Sequence, residues 1–247
     1  MRTVKARMVF ASLLLLLSPG FVAAEPYAGL FVGAAITQDT DVEDKLISVT
    51  RFKDVGFDTS VVFGGKVGFF FNPPVLGGNF GLELEAYHFR PNIETQTVSL
   101  SSDGFSGEFR LIGADLHVTV IGLNGLYRLP LSRSDEFPQG RFHPYAGVGL
   151  GAFIAHLETR TSVLNVNTNV GDTDVKPGFQ ALAGVRFFLT RHIALFGEYR
   201  FVLTDDFTFN LISQPGTVGG AGPAFQISKR EFNLTTHMLQ AGIAYHW

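Results

Sequence analysis

The chain has 247 residues, a net charge of −3, no cysteine, 28 glycines and 25 phenylalanines. Its mild acidity speaks against nucleic acid as a partner, and the missing cysteines exclude disulfides and a lipidated N-terminal cysteine. After the N-terminal run, no apolar stretch reaches about 18 residues, which excludes helical membrane spans.

In chain order, Arg2, Lys5 and Arg7 form a basic start, residues 8–17 a short apolar run, and Ser18, Pro19 and Gly20 a break. Val22, Ala23 and Ala24 follow, so residues 1–24 read as a secretory signal peptide cleaved after Ala24. Its loss removes three cations and no acid, taking the net charge from −3 to −6. The remaining 25–247 read as one β-domain, without linker or repeat.

Eight segments of alternating residues follow, each predicting a strand with two different faces. The first, 26–37, sets Leu30, Val32, Ala34 and Ile36 against Gly29 and Gly33. The second, 58–71, sets Val61, Phe63, Val67, Phe69 and Phe71 against Ser60, Gly64, Lys66 and Gly68. In the third, 80–89, Phe80, Leu82, Leu84 and Ala86 oppose Glu83, Glu85 and Tyr87. The fourth, 109–129, is apolar on both faces around 118–123, and a bulge near Gly122 is expected there. The fifth, 141–158, opposes Ala146, Val148, Leu150, Ala152 and Ile154 to Tyr145 and a row of glycines. The sixth, 179–189, places Gln180, Gly184 and Arg186 opposite its apolar row, and the seventh, 193–202, does so with Glu198 and Arg200. The eighth, 232–247, alternates without a break through Leu239, Ala241, Ile243, Tyr245 and Trp247.

Connections after even-numbered segments (72–79, 130–140, 190–192) are mostly shorter than those after odd-numbered ones (38–57, 90–108, 159–175, 203–231). An even strand count with alternating short and long connections predicts an all-β fold, a closed antiparallel transmembrane β-barrel of eight strands. The rival architecture is a soluble exported barrel of lipocalin type, because period two alone does not say which row faces inward. The charges decide for the membrane barrel. Lys66, Glu83, Glu85, Arg186, Glu198 and Arg200 all fall on the small-residue row, where a narrow lumen leaves room for them to pair.

The alternation and the closing row of Leu239, Ala241, Ile243, Tyr245 and Trp247 resemble the eight-stranded transmembrane domain of OmpA-like outer-membrane proteins. The resemblance covers the whole exported chain. It implies a Gram-negative outer membrane, with outer-membrane lipid and lipopolysaccharide as surroundings. It also implies that the closing row serves as the assembly signal for the barrel-assembly machinery, with Trp247 where the family ends in Phe. No peptidoglycan-binding module is expected after Trp247.

For the lumen, the strand ends predict that Lys66 faces Glu85, and that Arg186 stands in a similar relation to Glu198 across the 190–192 turn. A plug that neutralises charge is the expected role, and a gate on a small pore the alternative. His117 beside Asp115 and Thr119, and the pair Asp205 and Asp206, are the weak hints of lipid-modifying catalysis; no catalytic residue, cofactor or metal is expected. Asp39, Asp41, Glu43 and Asp44, and Asp172 and Asp174, could hold divalent cations but lack EF-hand spacing. The glycine-rich 213–222 stretch reads as a loop. The leading reading is an integral barrel with a structural or surface-interaction role. A narrow channel for small or apolar solutes is second, and a lipid-modifying enzyme third.

Overall fold

The computed structural model describes residues 24–45, 49–72, 74–93, 95–102, 105–111, 114–163, 166–213 and 226–247. Residues 1–23 of the predicted signal segment 1–24 and most of the glycine-rich stretch lie outside these residues. Strand β1 (Ala24–Thr37) leads into the short hairpin β2 (Thr40–Lys45) and β3 (Val49–Val55). The chain returns through β4 (Ser60–Phe71), turns tightly and climbs again through β5 (Asn79–Phe89). A second small hairpin, β6 (Gln96–Ser102) and β7 (Phe105–Leu111), precedes β8 (Asp115–Arg128). Next come the two longest strands, β9 (Phe142–Val163) and β10 (Val166–Phe188), then β11 (Ile193–Thr204). A third small hairpin, β12 (Phe207–Ser213) and β13 (Gln226–Phe232), leads to the closing strand β14 (Thr235–His246).

Eight strands close in the order β1-β14-β11-β10-β9-β8-β5-β4, every neighbour antiparallel. The seam between first and last strands runs from Tyr27 opposite His246 to Thr37 opposite Thr236, so the barrel has no free edge. Around Gly122 the ladders to Glu85 and to Gly151 run on without a shift. The expected bulge is absent there. The double-sided apolar run has another cause: Val118 and Val120 point into the barrel while Ile121 and Leu123 point out.

The six remaining strands form a second sheet in the order β12-β13-β2-β3-β6-β7. It stands as a collar beyond one end of the barrel, the hairpin end; the tight turns and the described chain ends lie at the other, the turn end. Segments read as loops from sequence are therefore ordered sheet. At the turn end, the connection after β8 also folds back, burying Phe137 against Phe188 and Ala194.

The apolar row faces outward, as Leu30 (68% exposed) and Leu150 (69%) show, while Arg186 and Arg200 are fully buried. A continuous apolar belt of this size is covered by lipid rather than water. This removes the lipocalin-like alternative, whose apolar row would line the interior. Inside, glycines admit the large rings. A Cβ on Gly68 would come 2.9 Å from the Tyr27 ring, and one on Gly184 2.8 Å from the Tyr145 ring.

Candidate functional site

The lumen is filled in three layers, and strand parity decides what enters each. At the turn end, Glu25 of β1 accepts hydrogen bonds from both terminal nitrogens of Arg128 on β8, one at 3.0 Å. It lies 2.6 Å from Nδ1 of His246 on the closing strand. Arg128 lies 3.9 Å above the Phe70 ring, and His246 stacks on Tyr27 with centroids 5.2 Å apart.

The middle layer holds three cations and three carboxylates, all buried: Lys66, Arg186 and Arg200 against Glu83, Glu85 and Glu198. Lys66 Nζ lies 2.8 Å from Glu198 and 3.4 Å from Glu83. Arg200 grips Glu85 through both terminal nitrogens, at 2.5 and 2.6 Å, and reaches Glu198 at 2.7 Å. Arg186 is held more loosely, 3.5 Å from Glu83 and 3.5 Å from His246, with its plane 4.0 Å over the Tyr27 ring. Neutral groups complete the carboxylates. Tyr27 donates to Glu83 at 2.6 Å, Tyr145 to Glu198 at 2.8 Å, Asn124 to Glu83 at 3.1 Å and Gln180 to Glu85 at 2.6 Å. Equal numbers of opposite charges, each multiply hydrogen-bonded, are what a buried ionic cluster needs to offset desolvation.

Above this layer the lumen turns apolar. At the border the Lys66 ammonium lies 5.4 Å from the Phe31 ring centre and 4.9 Å from that of Phe196. Phe89, Leu116, Val118, Val120, Phe153, Leu157 and Met238 continue upward, and the same cluster takes in Val42, Phe52, Phe207, Phe209 and Phe232 of the collar. Barrel and collar thus share one core.

The six lumen residues named from sequence meet in one network, but not in the pairs expected. Lys66 does face Glu85 in the β4–β5 register. Its ammonium nevertheless goes to Glu83 and, across the barrel, to Glu198, leaving Glu85 to Arg200. Arg186 is not opposite Glu198: it faces Phe196, and Glu198 faces Gly184. Neighbouring Cα positions fix which row a side chain belongs to, but in a narrow lumen long side chains meet partners several strands away. Sequence reasoning missed the Glu25–Arg128–His246 group. All three stand on lumen-facing rows, and extending the period-two count to the strand ends would have found them.

The other named residues lie elsewhere. Leu239, Ala241, Ile243, Tyr245 and Trp247 form the outward row, with Trp247 edge-on to Tyr245 at 5.1 Å. His117 faces His156 across β8–β9 on the outer surface, its ring 5.9 Å from that of His88, and Asp115 faces Glu158. Asp205 caps the Asp206 amide. Asp41 accepts the Asp54 amide at 3.3 Å, and Asp172 and Asp174 accept amides of β12. Among the described residues, no three His, Asp or Glu side chains converge as a metal site.

A closed eight-stranded barrel with an apolar belt outside and a compensated ionic cluster inside defines a small outer-membrane β-barrel protein. The chain belongs to the outer membrane protein beta-barrel domain family, which matches residues 8–246. No curated protein matches it by sequence. Among solved structures it is similar to neisserial surface protein A, at 12% identity over 90% of this chain and 98% of that one, with a TM-score of 0.42. It is also similar to the N-terminal barrel domain of Pseudomonas aeruginosa OprF (10% identity, 89% and 97% covered, TM-score 0.38). A third is Ail, the attachment invasion locus protein of Yersinia pestis (13%, 90% and 99%, TM-score 0.38).

Proposed function

We infer that this protein is a solute-tight barrel of the Gram-negative outer membrane that holds an ordered β-collar at the cell surface as an interaction surface, without enzymatic activity. In this reading residues 1–24 are removed on export and 25–247 form the mature barrel. The hairpin end faces outward, and outer-membrane lipid and lipopolysaccharide surround the apolar belt. The row from Leu239 to Trp247 is the signal read by the assembly machinery.

The observation that carries the reading is the filling of the lumen. The charge-balanced middle layer lies directly beneath a continuous apolar core, so an ion would have to displace paired charges and then cross buried aromatic rings. At the turn end Glu25 and His246 are among the residues that line a cavity of ≈ 270 Å³. His117 stands on the outward face of β8 beside two other histidines, a setting that supports an interfacial role better than a catalytic one. Planar-bilayer recording tests the reading. The purified barrel, and Lys66→Met with it, should give no discrete conductance steps. Reproducible steps that change in size with Lys66→Met would replace the plug with a gate.

A further inference from the structure

The collar meets the long β9–β10 hairpin along a seam of a different kind. Between β10 and β11 the backbone ladder climbs from Phe188 opposite Ala194 to Gly178 opposite Thr204. One further backbone bond follows, Asp205 N–H to the Pro177 carbonyl at 3.1 Å. Above that point β10 and β12 still run side by side, but they are joined through side chains. The Thr208 amide donates to Asp174 Oδ2 at 2.7 Å, and the Asn210 amide donates to Asp172 Oδ2 at 2.6 Å. Each carboxylate spends its other oxygen on the next amide of its own strand, Thr173 at 2.9 Å and Val175 at 2.8 Å. Lys176 Nζ lies 3.4 Å from Asp174 Oδ2, the one cation beside the pair in the described contacts.

The spacing is what makes this a built feature. Two carboxylates at i and i+2 on one face of β10 meet two amides at i and i+2 on one edge of β12. The intervening amides, Phe207, Phe209 and Leu211, point the other way, toward β13, by strand alternation. A side-chain carboxylate thus stands in for the backbone carbonyl that a neighbouring strand would have supplied. Behind the seam Phe207 and Phe209 are fully buried, stacked on each other at 6.1 Å.

We propose that the β10–β12 seam is the opening line of the collar, latched by Asp172 and Asp174: the β9–β10 hairpin swings away from β12 while the barrel below stays shut. The closed and open states differ by the two carboxylate–amide bonds and the longer Asn210 Nδ2–Asp172 Oδ2 contact at 3.5 Å. Within the collar sheet, the described junctions from β12 through β13, β2, β3 and β6 to β7 are backbone ladders. Opening leaves β12 as a free sheet edge with donors at alternate residues, the geometry to which an extended peptide adds. The proposal rests on the surface-interaction reading only for its use; the opening itself is independent of it.

Amide hydrogen exchange by NMR on the full barrel in micelles tests it. In the parent, Thr208 and Asn210 should exchange about tenfold or more faster than Phe207 and Phe209, which the β13 ladder holds. Asp172→Ala with Asp174→Ala should speed Thr208 and Asn210 further and leave β11 and β14 amides unchanged. Asp172→Asn with Asp174→Asn keeps an acceptor oxygen and should fall between. Equal protection of all four β12 amides in the parent would overturn the proposal. So would unchanged exchange in the alanine pair, or a rise that spreads into β11. If the alanine pair fails to assemble, the comparison within the parent still decides.

Discussion

The middle layer of the lumen makes a prediction that separates register from real contact. Changing Lys66→Met removes one of three buried cations and leaves Glu83 and Glu198 facing a deficit of one charge. At 2.8 and 3.4 Å, with an effective dielectric of about 20, the two attractions lost are about 6 and 5 kcal/mol gross. Most of that had been offset by the cost of burying the ammonium, so the net loss on breaking the cluster should be about 3–5 kcal/mol. The second substitution carries the information. Glu198→Gln in the Lys66→Met background restores neutrality, keeps one acceptor oxygen for Arg200 and turns an amide N–H toward the Tyr145 hydroxyl, whose oxygen can accept it, so it should recover at least about half of the loss. Glu85→Gln restores the same net charge but weakens the two-pronged grip of Arg200, and should recover little. Urea titration of the barrel folded in lipid vesicles, read by far-ultraviolet circular dichroism and by gel migration, measures the parent, the Lys66→Met, Glu198→Gln and Glu85→Gln single variants, and both doubles. Zero coupling between Lys66 and Glu198, or stronger coupling to Glu85, would refute the cross-lumen assignment.

Two further predictions concern assembly and packing. Gly184→Val should cost about 1–3 kcal/mol, because its side chain collides with Tyr145 and dislodges that hydroxyl from Glu198. Gly197→Ala has nothing within 4 Å of the added methyl and should stay within about 0.5 kcal/mol of the parent; the same urea titration compares them. Trp247→Phe should assemble like the parent, whereas deleting Trp247 should lower the yield of the fast-migrating unboiled gel band that marks a closed barrel. Equal yields would remove the assembly role of the closing row.

The barrel was legible because each membrane strand has to present one apolar row to lipid and one small or polar row to the lumen, and that contrast survives over ten or more residues. The six collar strands were not read as strands because they are six or seven residues long and lie in polar surroundings. Their pattern is present in miniature: Val42 between Asp41 and Glu43, and Phe207 and Phe209 around Thr208. Lys66, Glu83, Glu85, Arg186, Glu198 and Arg200 were readable as one inward set, since parity alone decides that. Who pairs with whom was not readable, because it depends on barrel diameter and on which rings fill the space between. Arg128 and Glu25 sit 103 residues apart in sequence and meet only when the cylinder closes.

The core shared by barrel and collar also shapes how this surface can diversify. A recognition patch carried on free loops can change by insertion, deletion or wholesale replacement. Here Val42, Phe52, Val55, Phe207, Phe209 and Phe232 are inward-facing and tied to the lumen packing. Variation is then channelled to the alternate, outward positions such as Asp41, Lys53 and Asn210, which are exposed. On the interaction-surface reading proposed above, selection by a changing partner would rewrite the outer face of each collar strand letter by letter. The spacing of those letters, near 7 Å between alternate residues of a strand, would stay constant. A panel of displayed variants confined to these outward positions would keep the fold while sampling new chemistry, which makes the collar a scaffold as well as a surface.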